Sequence, residues 1–129
     1  MALTKIISLE TLKEAVRILH DGGFKADDLR YDKDKQRLKL RVKCYKWKGK
    51  YIQRQTTQAA ADYELVLSGI DEFRISDRDS KGLAAVQEDY VNEIEAAGKN
   101  SFIIATLFRD IHVTVERYDG ELRYLDGNP

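Results

Sequence analysis

The sequence predicts an α+β fold: a mainly antiparallel, twisted sheet of about seven strands with an N-terminal helix packed on one face. Three observations carry this. From Arg37 to Cys44, basic and apolar residues alternate strictly, the signature of a strand with one face in a core and one in water. Leu9, Leu12, Val16 and Leu19 recur at helical spacing. Ser101–Phe108 is a short, strongly apolar, β-branched run, as expected of a central strand.

The elements follow in order. Leu3–Ile7 reads as a short strand. Ser8 then stands as a helix N-cap with Glu10 in the first turn, where a carboxylate suits the positive end of the helix dipole. Gly22-Gly23 ends that helix, glycine tolerating the left-handed cap conformation. Phe24–Tyr31 reads as a strand weakened by Asp27-Asp28. It forms a hairpin through the polar turn Asp32–Lys35 with the long strand from Gln36 to about Lys46. Gln53–Asp62 lacks apolar periodicity and is expected to be a surface loop. Tyr63–Leu67 and Ile70–Ile75 are strands broken by Ser68-Gly69, the second with Phe73 and Ile75 turned inward.

Asp77–Gly82 is a charged connection. Leu83–Ala97 fits either a helix throughout or a helical turn over Leu83–Glu88 followed by a strand. Arg109-Asp110 should turn the chain into an alternating strand of Ile111, Val113 and Val115. Tyr118-Asp-Gly120 should be a hairpin turn into Glu121–Leu125. The whole chain, 1–129, reads as one domain with a frayed tail at 126–129.

Composition limits the function classes. With 43% hydrophobic and 34% charged residues, the chain can bury one core, and no run approaches the ~20 apolar residues of a membrane span. No secretory h-region is present near the N-terminus, and the cytoplasm is the expected compartment. One cysteine, Cys44, rules out an internal disulfide framework and a Cys-rich zinc site. Cys44 falls on the apolar face of its strand, where a thiol behaves as a small hydrophobe with a raised pKa.

The net charge is zero but unevenly spread: residues 1–59 carry +8, residues 60–99 carry −6, and the remainder −2. The water face of the long strand holds Arg37, Lys39, Arg41 and Lys43. Such a row needs acidic neighbours across the sheet or an anionic partner. The −6 segment offers the neighbours. Beyond Cys44 the alternation breaks sense: Tyr45 and Trp47 take the positions of the basic residues. Either a bulge near Cys44 turns these aromatics to the core edge, or the register holds and they join the surface. The candidate binding residues are therefore Arg37, Lys39, Arg41, Lys43, Tyr45 and Trp47.

Candidate chemistry elsewhere is thin. His20 sits in the last turn of the first helix, and His112 on a strand face opposite Ile111 and Val113; each fits a structural role. Asp110 with His112 supplies two donors, fewer than a metal site needs. Asp27-Asp28 and Asp77-Arg-Asp79 lack the spacing of a calcium loop. Gly22-Gly23 follows a helix rather than opening one, the wrong order for a phosphate loop. No catalytic residue, metal or cofactor is expected. An enzyme site built on His20, Asp21 and His112 ranks last. A non-enzymatic module that binds a protein partner or self-associates ranks first. A nucleic-acid-associated protein using the basic stretch Arg37–Lys50 ranks second, although the paired aromatic signature of RNA-recognition sheets is missing. No membrane partner is expected.

The layout also resembles a bacterial family of small proteins of unknown function. The matching pieces are Leu19-His-Asp-Gly, Asp28-Leu-Arg-Tyr31, Lys35 to Trp47, Tyr63 to Ile75, and Ile111 to Asp126. More loosely, the His-Asp pair and Phe-Arg-Ile-Ser-Asp77 are similar to toxin-immunity-like domains. The resemblance implies the fold and assigns no catalytic residue.

Overall fold

The computed structural model describes residues 2–47, 58–77 and 88–125. β1 (Ala2–Ile6) leads into α1 (Leu9–Leu19). Ser8 caps the helix: its hydroxyl accepts from Thr11 N at 3.2 Å, and Thr11 Oγ1 accepts from Ser8 N at 3.0 Å. Leu12, Ala15, Val16 and Leu19 are buried. Each of the three larger side chains contributes about 1.5–3 kcal/mol by leaving water.

The helix ends differently from expectation. His20 is the C-cap, and the left-handed residue after it is Asp21, with φ of 66°. Gly22 is needed for space instead. A Cβ there would lie 2.8 Å from Cys44 Sγ and 2.9 Å from Leu19 O, and would run into Val42. The segment is then stitched to a distant strand, with Asp21 N donating to Val91 O at 2.8 Å and Val91 N to Gly22 O at 2.9 Å.

The expected strand over Phe24–Tyr31 divides into three pieces. β2 is only Gly23–Phe24, a 3-10 turn covers Ala26–Asp28, and β3 is Leu29–Asp32. Asp28 Oδ2 accepts from Lys25 N at 2.9 Å, a local bond that competes with strand pairing. The turn at Asp32 forms as expected, its carboxylate accepting from Asp34 N and Lys35 N. β4 (Arg37–Trp47) follows, then β5 (Gln58–Leu67), β6 (Ile70–Asp77), β7 (Asp89–Ala96), β8 (Ser101–Thr106), β9 (Arg109–Val115) and β10 (Gly120–Leu125).

The described strands make ten rather than about seven, in the order β1-β10-β5-β4-β2-β7-β8-β9-β6, with β3 also on β4. Every pairing is antiparallel. β4 organises the sheet. One edge pairs with β5 along its full length, and the other is shared by β3 at Arg37–Leu40 and β2 at Lys43. β2 passes the sheet on to β7, so one half is β1-β10-β5-β4 and the other is β7-β8-β9-β6. One continuous core joins α1 to both halves, with Leu38, Leu40, Val42, Leu65 and Leu122 from the first and Phe102, Ile104, Ile111 and Val113 from the second.

Several expected connections are corrected. Tyr118-Asp-Gly120 does not turn a hairpin, because β9 and β10 lie in different halves. The chain crosses between halves there and again at Ser68-Gly69. Ser68 N donates to Asp119 O at 2.8 Å and Glu116 N to Gly69 O at 2.9 Å, tying the two crossings together. Gly69 takes φ of +69°, which a side chain would oppose. Residues 58–62, expected in a loop, are strand, and the remainder of that expected loop lies outside the described residues.

The turn placed at Arg109-Asp110 falls two residues earlier, at Leu107-Phe108. Arg109 is buried beside Asp89, Nε to Oδ2 3.2 Å. Asp89 also accepts from Thr106 Oγ1 at 2.7 Å, Phe108 N at 3.1 Å and Tyr90 N at 2.8 Å, so this carboxylate fixes the β8–β9 turn. Ile75 is not inside: β6 ends the sheet order, and Ile75 is 39% exposed. Of the Leu83–Ala97 alternatives, Asp89–Ala96 is strand; residues 78–87 lie outside the described residues. No described helix is long and apolar enough to cross a membrane.

Candidate functional site: the outer face of β4

Pairing between β4 and β5 runs from Leu38↔Leu67 to Trp47↔Gln58 without a shift, so no bulge interrupts β4 near Cys44. The side chains of Tyr45 and Trp47, whose facing the sequence left open, lie outside the described residues. Leu38, Leu40 and Val42 are buried, while Arg41 and Lys43 are exposed and Arg37 and Lys39 half-buried. The expected two-faced strand is present, with its basic row outward. β4 has neighbours on both sides between Arg37 and Lys43, so the surface that carries the basic row is a sheet face.

The register builds this face in rows. Lys39 lies between Arg30 of β3 and Val66 of β5, and the row continues through Glu121 of β10 to Lys5 of β1. Arg41 faces Glu64, which faces Arg123. Lys43 faces Asp62, and Arg37 faces Asp32. Seven cations thus share the face with four carboxylates. Val66, apolar and outward in its row, is only 7% exposed and lines a cavity of about 250 Å³ with Lys5, Arg37, Lys39 and Arg123. Long basic side chains cover apolar surface in this way while keeping their charges wet. A second cavity, about 440 Å³, lies toward the other end of the row against Arg41 and Lys43, with Lys25, Asp62 and Glu88.

Neutralisation is partial. Arg41 Nη2 sits 3.2 Å from Asp62 Oδ2. Arg123 binds Glu121 through Nε and lies 3.7 Å from Glu64, and its guanidinium pKa is held above the usual arginine value, chiefly by the Glu121 hydrogen bond. Arg37, Lys39 and Lys43 have no ion-pair partner among the described residues. Alternate residues of a strand stand ~7 Å apart, where like charges repel by about 0.6 kcal/mol in water. The fold tolerates that cost, and an acidic ligand would remove it.

Cys44, the apolar-face thiol, is half-buried, with Sγ 3.7 Å from Ile18 O. Burial, and then the charge of Asp62, push its pKa up to about 11. A thiol so protonated at neutral pH is a poor nucleophile.

The histidines do not meet. His20 Nδ1 bonds Asn92 O at 2.6 Å beside a cavity with Lys13, Arg17 and Glu93. His112 lines a different cavity, about 600 Å³, with Tyr31, Phe73, Arg74 and Thr114. Its Nε2 is 2.8 Å from Ser76 Oγ, which also accepts from Arg74 Nη1 at 3.1 Å. The site imagined around His20, Asp21 and His112 is therefore not assembled. Among the described residues, no three His, Cys, Asp or Glu side chains converge as a metal cluster.

Sequence reading missed Lys5, Arg30 and Arg123 as members of the basic face. Alternation marks each as an outward residue, but only cross-strand register brings them to β4. It also missed Ser76 as the partner of His112, for which no local signal exists.

The chain is thus an antiparallel α+β protein with a single described α-helix and a cationic sheet face. No family model, curated protein or solved structure matches it.

Proposed function

We propose that this chain is a non-enzymatic binding module that docks an acidic protein surface on the outer face of β4. One observation carries the reading: among the described residues, Arg37, Lys39 and Lys43 lack ion-pair partners on a face where Arg41 and Arg123 have them. Complementary charge at such a face raises association rates and selects partners more than it adds affinity. The charges are spread over five strands and do not converge in one enclosed pocket, which suits a macromolecular partner better than an enclosed small ligand.

The test is a lysate pull-down on the immobilised protein, with and without nuclease, eluted by a salt gradient. A protein partner retained after nuclease and released as salt rises supports the reading. Capture that disappears with nuclease overturns it in favour of nucleic acid, whose affinity falls steeply with salt through counterion release.

A further inference from the structure

We infer that the partner on this cationic face is a second copy of the chain, which offers the acidic outer face of β7, β8, β9 and β6. The inference rests on the binding-module reading above and names its partner.

The acidic face is read from the same registers. One row runs Glu93–Ala105–Asp110–Ser76, the next Glu95–Ile103–His112–Arg74, and a third Ser101–Thr114–Glu72. Residues between these rows, Phe102, Ile104, Ile111 and Val113, are buried in the core, so the rows lie on the opposite side of the sheet, where Ala105 is covered and Glu72, Glu93 and Glu95 are exposed. Among the described residues, Glu72, Glu93 and Glu95 against Arg74 make this face net acidic, while seven cations against four carboxylates make the face around β4 net basic. Glu72, Glu93 and Glu95 are exposed and without ion-pair partners among the described residues, matching Arg37, Lys39 and Lys43 on the other face. The cationic face spans five strands, β1, β10, β5, β4 and β3, and the acidic face four.

Because the two surfaces are different, their contact is heterologous, and each copy keeps one face of each kind open for the next. Strands ~4.8 Å apart and rows ~7 Å apart make the cationic patch roughly 400 Å² in plan and the acidic one roughly 200 Å². Both lie below the ~800 Å² per partner of a stable complex, so association is weak, reversible and dependent on salt.

Two variants test this by sedimentation equilibrium at up to ~1 mM protein in low salt. One carries Arg37→Gln, Lys39→Gln and Lys43→Gln; the other carries Glu72→Gln, Glu93→Gln and Glu95→Gln. Circular dichroism checks that both are folded. The wild type should show a mass rising with concentration and falling back to one chain in ~0.5 M salt. Each variant alone should remain a monomer. Their mixture should associate and stop at two chains, since only one competent face of each kind remains. A wild type monomeric throughout, or a mixture that does not associate, overturns the inference. If the wild type is monomeric while nuclease-resistant, salt-released capture of an acidic protein persists, the self-association fails and the parent reading stands.

Discussion

Arg41 bonds the carboxylate diagonal to it, Asp62, 3.2 Å from Nη2 to Oδ2, although its direct cross-strand neighbour is Glu64. Asp62 is the direct neighbour of Lys43, and Glu64 is taken by Arg123. The carboxylates of β5 are thus spent on the two arginines, whose forked donors suit them. The lysines are left over. Replacing Lys39 and Lys43 with Gln should therefore change stability by no more than about 0.5 kcal/mol. Urea denaturation of the double variant checks this, and a loss of 2 kcal/mol or more would show that these lysines hold the fold.

The Asp89–Arg109 pair predicts an asymmetry. Asp89→Ala removes the acceptor of Thr106 Oγ1, Phe108 N and Tyr90 N and the carboxylate paired with the buried Arg109. It should cost about 3–5 kcal/mol. Arg109→Met leaves Asp89 with those three donors and should cost less, about 1–3 kcal/mol. Denaturation midpoints of the two variants test the order.

At the helix end, Gly22→Ala should destabilise by about 1–3 kcal/mol, because its methyl meets Val42, Cys44 Sγ and Leu19 O. Asp21→Gly should stabilise by up to ~1 kcal/mol, since Asp21 holds a left-handed φ of 66°. Thermal melts of both variants test a claim that reverses the usual reading of Asp-Gly-Gly at a helix end.

Cys44 supplies the pH dependence. Its folded pKa, about 11, stands above the ordinary thiol value of 9.0, so the folded state holds its proton longer than the unfolded chain does. Stability from this group is whole below pH ~9 and is lost as pH rises from there through about 11. Alkylation of the native protein should be slow at pH 8 and accelerate only above pH ~10. Cys44→Ser should reduce the alkaline component of the denaturation profile and leave the part due to Tyr63 and Tyr118, whose phenols burial also pushes up. Rapid alkylation at pH 8 would contradict the burial.

Local patterning made much of this fold legible. Ser8 with its following heptad marked the helix, and the alternation from Arg37 to Cys44 marked β4 and its outward basic row. What escaped was non-local. Tyr118-Asp-Gly120 has the composition of a hairpin turn, yet its flanking strands belong to different halves, a choice made by core packing. Asp27-Asp28 read as a weak point within a strand, and Arg109-Asp110 as a turn. One pair closes a 3-10 turn, while Arg109 is drawn inside by Asp89, twenty residues away in sequence. The site was half legible for the same reason: alternation named its four central cations, and register alone could add Lys5, Arg30 and Arg123 and decide which of the seven are neutralised.

The most direct measurement is capture of the nuclease-resistant partner by the wild type and by the Arg37→Gln, Lys39→Gln, Lys43→Gln variant, at equal folded concentration and ~50 mM salt. Loss of capture by tenfold or more in the variant, with an unchanged melting temperature, is the predicted result. Capture equal to that of the wild type would contradict a binding role for the outer face of β4.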